Sequence, residues 1–180
     1  MKNKVVIITG ASSGIGKALA IEFAKLGAHI VITGRNEARL NEVAEILDGM
    51  KTRNLCLQLD VAKEKDNEIL VNETVKTFGK IDVLINNAGI SMRALFEEIE
   101  MDVFKKVMDI NFYGTLYATK YCLPEILKTK GSPNSLHRLK ICDEWLYGIA
   151  AYGSDAQRCS CTRGLPWFYW NKYQKCRTYR

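Results

Sequence analysis

The sequence predicts an α/β protein on a doubly wound parallel sheet, cut short after about four strands and followed by an irregular C-terminal tail. Three observations predict it. Short β-branched runs alternate with helix-length segments of 3.6-residue apolar periodicity through the first 130 residues. The connections between them are short, as right-handed β-α-β crossovers require. Beyond Lys130 neither period runs for long, and that stretch holds all three tryptophans, four of the six cysteines and five of the eight tyrosines.

Lys4-Val5-Val6-Ile7-Ile8-Thr9 reads as a first strand buried on both faces. Gly10-Ala11-Ser12-Ser13-Gly14-Ile15-Gly16 follows, and Ile15, Leu19, Phe23 and Leu26 then recur at helical spacing. This is strand, glycine turn, helix. In such a unit the first glycine permits the tight turn, the second lets backbone approach a pyrophosphate, and the third lets helix and strand pack closely. An anion then sits where the unpaired N–H groups of the helix N-terminus converge. Gly27 leads into a second strand, His29 to Thr33, and Asn36 is placed to cap a helix running through Leu40, Val43 and Ile46. Leu55 to Leu59 is a third strand ending at Asp60, a helix is expected from about Glu64 to Phe78, and Ile81 to Ile85 is a fourth strand.

Size and charge narrow the function classes. The chain has 180 residues, enough for one domain with a real core. Its formal charge is +6, yet through Lys130 there are 18 Lys and Arg against 17 Asp and Glu, so the basic surplus belongs to the tail and does not predict nucleic-acid binding. The apolar run Val5 to Ile8 is too short for a signal peptide or a membrane span, which predicts a cytoplasmic protein with no membrane partner. Cys56 and Cys122 lie in apolar stretches and read as small buried hydrophobes. Cys142, Cys159, Cys161 and Cys176 do not form CxxC pairs, so no metal site is expected.

Four motifs now stand in order. They are Thr9 to Gly16 (TGASSGIG), Leu59-Asp60-Val61, Asn86-Asn87-Ala88-Gly89, and Asp109-Ile110-Asn111-Phe112-Tyr113-Gly114-Thr115. Together they resemble the short-chain dehydrogenase/reductase family, over roughly residues 3 to 131. The resemblance implies a Rossmann-like sheet, NAD(P)(H) binding, and hydride exchange with a small-molecule carbonyl or secondary alcohol. It places Gly10, Gly14 and Gly16 at the pyrophosphate, with contacts from Ser12, Ser13 and Ile15. Asp60 and Val61 would hold the adenine, and Asn87, Ala88 and Gly89 would line the cofactor beyond the fourth strand. Asn111 would be the active-site asparagine that steadies a catalytic lysine through water. The intact family member would form homo-oligomers through the long helix that starts near Met101. Thr33-Gly34-Arg35-Asn36 carries Arg35 and no carboxylate where a ribose 2′-hydroxyl would need one, so NADP is favoured over NAD.

The remaining catalytic parts are missing from the sequence. The family's chemistry also needs a serine on a fifth strand, a Tyr-x-x-x-Lys pair and a Pro-Gly loop. No tyrosine here has lysine four residues later; Tyr173 with Arg177 is nearest. Read one nucleotide later, the codons for Leu136 to Lys140 permit YTASK, those for Ile141 to Gly153 permit FAMNGFMESLRTE, and those for Cys159 to Tyr169 permit VHVLVACPGFT. This predicts a partial nucleotide-binding domain over 1–132 and a frameshifted tail over 133–180 that is not a domain. The alternative is a natural divergent tail that packs as a cap. The expected function is therefore an NAD(P)-dependent oxidoreductase by family, inactive as written. A nucleotide-binding regulatory or interaction protein, or a pseudogene product, is the alternative. Without a fifth strand the fourth would be left as a sheet edge, predicting poor folding and aggregation.

Overall fold

The computed structural model describes residues 1–91, 99–130 and 140–141. Strand β1 (Val5–Thr9) leads to helix α1 (Gly14–Lys25), β2 (His29–Gly34), α2 (Glu37–Gly49), β3 (Asn54–Gln58), α3 (Glu64–Phe78) and β4 (Val83–Asn86). Helix α4 (Met101–Met108) passes through a π-helical turn at Asp109–Tyr113 into α5 (Gly114–Lys130). The strands lie in the order β3-β2-β1-β4-β5, all parallel, with β5 being Lys140–Ile141.

The expected four strands are present, each within two residues of the bounds read from sequence. The sheet does not stop at β4, however: Lys140 and Ile141 pair with Ile85 and Asn86. Strand four is thus an edge only over its first half among the described residues. Residues 131–139, and the expected tail from 142 to 180, lie outside the described residues.

Alternation along the strands divides the core between two faces. Val6, Ile8, Ile30 and Ile32 meet Ala20 and Ala24 of α1 and Leu40, Val43 and Leu47 of α2. Val5, Ile7, Val31 and Leu84 meet Leu70 and Val71 of α3 and Ala118, Cys122 and Ile126 of α5. All five residues of β1 are buried, as befits the central strand. Cys122 is fully buried, and the loss of hydration pushes its thiol up to about 12, so it acts as an inert apolar group. Cys56 is only half-buried, because β3 is an edge strand.

Helix α1 corrects the sequence reading. Ile15 is 73% exposed and Leu26 56%, while the residues that α1 buries are Gly16, Ala20 and Ala24. Small side chains let this helix lie close to the sheet, and Leu19 and Phe23 pack at its flanks. Helix α2 likewise buries Leu47 in place of the expected Ile46. Asn36 caps α2 as read, its Oδ1 accepting the Arg39 N–H at 3.0 Å.

Asp82, just before β4, anchors the end of the sheet where the strands begin. Its carboxylate is 1% exposed and accepts from Lys4 Nζ (2.7 Å), Lys80 Nζ (2.9 Å) and Val5 N (2.9 Å). Burial alone would raise its pKa, but those hydrogen bonds and the Lys80 charge outweigh it and hold the carboxyl below its ordinary value. A depressed folded pKa contributes stability that is complete above the unfolded value, about pH 4, and is lost as pH falls through the folded one. Asp82→Asn is therefore expected to cost about 2 kcal/mol at neutral pH, discounted for the half-exposed lysines. Urea unfolding should show that gap closing as the pH drops below about 4.

Candidate functional site

The site forms where β1 and β4 diverge at their C-terminal ends, the switch point of the sheet order. The turn between β1 and α1 shapes it. Gly10 has φ +65°, and a Cβ there would lie 2.7 Å from Ala88 Cα. A Cβ on Gly16 would collide with the Gly10 carbonyl oxygen and approach Asn87 Nδ2 at 2.5 Å. Gly14 differs: its φ is +56°, and nothing lies within 4 Å of where a Cβ would stand. Two of the glycines thus close the turn against the chain after β4, and the third leaves room on its open side.

Thr9 ties these segments together. Its buried hydroxyl accepts from Asn87 N and Ala88 N, both at 3.0 Å, and donates to Ile85 O at 3.4 Å. Asn87 Nδ2 donates in turn to Thr9 O (3.0 Å) and Gly10 O (3.1 Å). Asp60 and Val61 are fixed from α3: Asp66 Oδ2 accepts the Asp60 N–H at 2.8 Å, and Asn67 Nδ2 donates to Val61 O at 2.8 Å. Asp60 Oδ1 accepts from Ala62 N at 3.1 Å, which closes the loop after β3.

These segments enclose a cleft of about 410 Å3. From the β1–α1 turn it takes Gly10, Ser12, Ser13 and Ile15, which explains why Ile15 stands away from the core. From the end of β3 it takes Asp60 and Val61, and from the end of β4 Asn87, Ala88 and Gly89. Arg35 lines the wall beyond β2. Gly14 and Gly16 shape the turn without lining the cleft. Arg39 and Ile90, which the sequence did not point to, also line it, as do Gly34, Asn36, Leu59 and Ile110, which stood in the quoted stretches without a role in the cleft. Arg39 had a signal, being a second arginine close behind Arg35 in the first turn of the helix that Asn36 caps. Among the described residues neither guanidinium is in an ion pair.

Asn111 stands apart from the cleft lining. It sits in the π-helical turn, where Gly114 N reaches back to Asp109 O. Its Oδ1 accepts from Ile90 N and its Nδ2 donates to Ile90 O, both at 2.9 Å. The side chain is therefore a clamp on the segment after β4, not a solvent-facing amide. The Asn111 backbone oxygen accepts from Thr115 Oγ1 at 2.9 Å. At the end of the turn, a Cβ on Gly114 would come within 2.9 Å of Val61 Cγ2, so α5 abuts the loop after β3.

No helix among the described residues is long and apolar enough to cross a membrane. Nor do three or more His, Cys, Asp or Glu among them gather as metal ligands.

A parallel sheet with a glycine turn at its switch point, basic residues at the end of β2 and an amide-tied loop after β4 defines a dinucleotide-binding α/β domain. Known proteins agree. The short chain dehydrogenase family model matches residues 4–132. An 11-beta-hydroxysteroid dehydrogenase from Pinus massoniana is 42% identical over 133 residues, covering 73% of this chain and 37% of that protein. A short chain dehydrogenase/reductase from Burkholderia phymatum, solved in complex with NAD, superposes with a TM-score of 0.70 at 27% identity, over 71% of this chain and 46% of that one. A 7 alpha-hydroxysteroid dehydrogenase complexed with NADH and 7-oxo glycochenodeoxycholic acid gives 0.68 at 30% identity, over 71% and 50%. The chain belongs to the short-chain dehydrogenase/reductase family of oxidoreductases. It spans half the length of these relatives or less.

Proposed function

We propose that this chain is the dinucleotide-gripping part of an NADP(H)-dependent oxidoreductase, and that as written it binds the cofactor without turning it over. The open side of Gly14 would admit the pyrophosphate, with Ser12, Ser13 and Ile15 beside it. Asp60 and Val61 would flank the adenine, and Asn87, Ala88 and Gly89 would continue the wall toward the nicotinamide. When bound, the cofactor supplies or accepts the hydride. One observation carries the choice of cofactor: Arg35 and Arg39 share the cleft wall at the end of β2 with no carboxylate among the lining residues there. A guanidinium pair suits a 2′-phosphate, whereas a ribose hydroxyl is ordinarily met by an acid.

Absence of turnover follows from the proton. Reduction of a carbonyl needs a donor whose pKa is lowered toward working pH, and no tyrosine of the sequence has a lysine four residues later to do so. Asn111, whose side chain also ties down Ile90, would by family resemblance steady such a lysine through water. We read residues 1–132 as the partial domain and 133–180 as a tail that is not one, in a cytoplasmic protein. Fluorescence titration with NADPH, run beside NADPH oxidation against oxosteroid and other carbonyl substrates, tests the proposal. Saturable binding without oxidation is expected. Oxidation above background with any carbonyl would overturn the inactivity, and absence of binding would overturn the site.

A further inference from the structure

Arg35 is held from behind by a residue that does not touch the cleft. The residues between β2 and α2 are Arg35 and Asn36, and hydrogen bonds from three sides fix this short connection among the described residues. Gly34 O accepts from Leu59 N at 3.0 Å, and Asn36 caps α2 through Oδ1 and its backbone oxygen. The bond on the Arg35 peptide itself comes from Gln58, whose Nε2 donates to Arg35 O at 3.2 Å. Gln58 ends β3 directly across the ladder from Gly34. Its neighbours Leu57 and Leu59 turn to the α3 side of the sheet, which leaves Gln58 on the side where α2 begins. Register thus delivers one amide to one carbonyl at the point where the two strands part.

We infer that Gln58 is a positioning residue for 2′-phosphate selectivity, acting through the Arg35 backbone; this rests on the NADP(H) reading above. The Arg35 guanidinium forms no ion pair among the described residues. Its aim therefore depends on the peptide that carries it. Releasing the Gln58 bond frees that peptide and spreads the side chain over more orientations. A ligand with a 2′-phosphate must then order it again on binding, and a ligand without one need not.

The test uses the full chain in three forms: the native sequence, Gln58→Met, which keeps the length and loses the N–H donor, and Gln58→Lys, which keeps a donor. Dissociation constants for NADPH and NADH are measured by fluorescence, and 2′,5′-ADP and 5′-AMP are used as competitors. Gln58→Met is expected to weaken NADPH and 2′,5′-ADP about fivefold. NADH and 5′-AMP should change by less than about twofold, and Gln58→Lys should keep most of the preference. Because Gln58 is exposed, thermal midpoints should stay together. Equal weakening of both nucleotides, or no change in either, would overturn the inference. A native chain that binds neither nucleotide, or prefers NADH, would instead overturn the underlying reading, and does so before any variant is compared.

Discussion

Gly16→Ala is expected to destabilise the fold by about 3 kcal/mol and lower its thermal midpoint by about 10 °C. The new methyl group would overlap the Gly10 carbonyl oxygen and press on Asn87 Nδ2. Neither can move cheaply. Gly10 is itself packed against Ala88, and Asn87 is tied to Thr9 O and Gly10 O. Relief therefore requires α1 to lift from β1, which would loosen Ala20 and Ala24 from the core and open the cleft at its floor. Nucleotide affinity should fall more than tenfold with it. Gly14→Ala provides the contrast. Nothing stands near its Cβ, so the stability cost is only that of a left-handed residue, about 1 kcal/mol. Its methyl group nevertheless occupies the open side on which we place the pyrophosphate. Thermal melts of both variants, with NADPH titrations alongside, separate packing from binding.

Arg35→Glu combined with Arg39→Ala is expected to weaken NADPH about 100-fold while leaving NADH unchanged or improved. Hydrogen bonds to a charged group contribute roughly 1.5–3 kcal/mol, and a carboxylate in place of Arg35 adds repulsion toward the 2′-phosphate. The same carboxylate is the group that a free ribose hydroxyl favours. Each residue alone should give a smaller effect, since the second guanidinium still faces the cleft. Parallel titrations with the two cofactors read the switch directly. Equal losses for both would mean that these arginines serve the fold or the general field, not the 2′-position.

Much of this fold was legible because its strands are short β-branched runs and its turns carry glycine. Val5 to Thr9, with burial on both faces, could hardly read otherwise. The cleft was legible for a related reason. In a parallel sheet the strand ends converge on one edge, so residues just after β1, β2, β3 and β4 must meet there. What escaped the sequence depended on contacts between distant segments or on size, not polarity. The packing stripe of α1 is Gly16, Ala20 and Ala24, which apolar periodicity overlooks in favour of the larger Ile15 and Leu26. The Asn111 clamp joins residues 21 apart, and nothing in either local stretch announces it. The π-helical turn that carries Asn111, Asp109–Tyr113, has no composition that separates it from the helices on either side. Strand β5 escaped because two residues, Lys140 and Ile141, are too few to show a period.

Hydrogen–deuterium exchange of the full chain with and without NADPH shows whether the cofactor occupies this cleft, since it reports each wall of the cleft at once. Cofactor is expected to slow exchange together in the turn from Gly10 to Gly16, at Arg35 and Asn36, at Asp60 and Val61, and from Asn87 to Gly89, with little change at Asp82 at the opposite end of the sheet. Unchanged exchange in those four segments at saturating NADPH, or protection confined to another part of the chain, would contradict it.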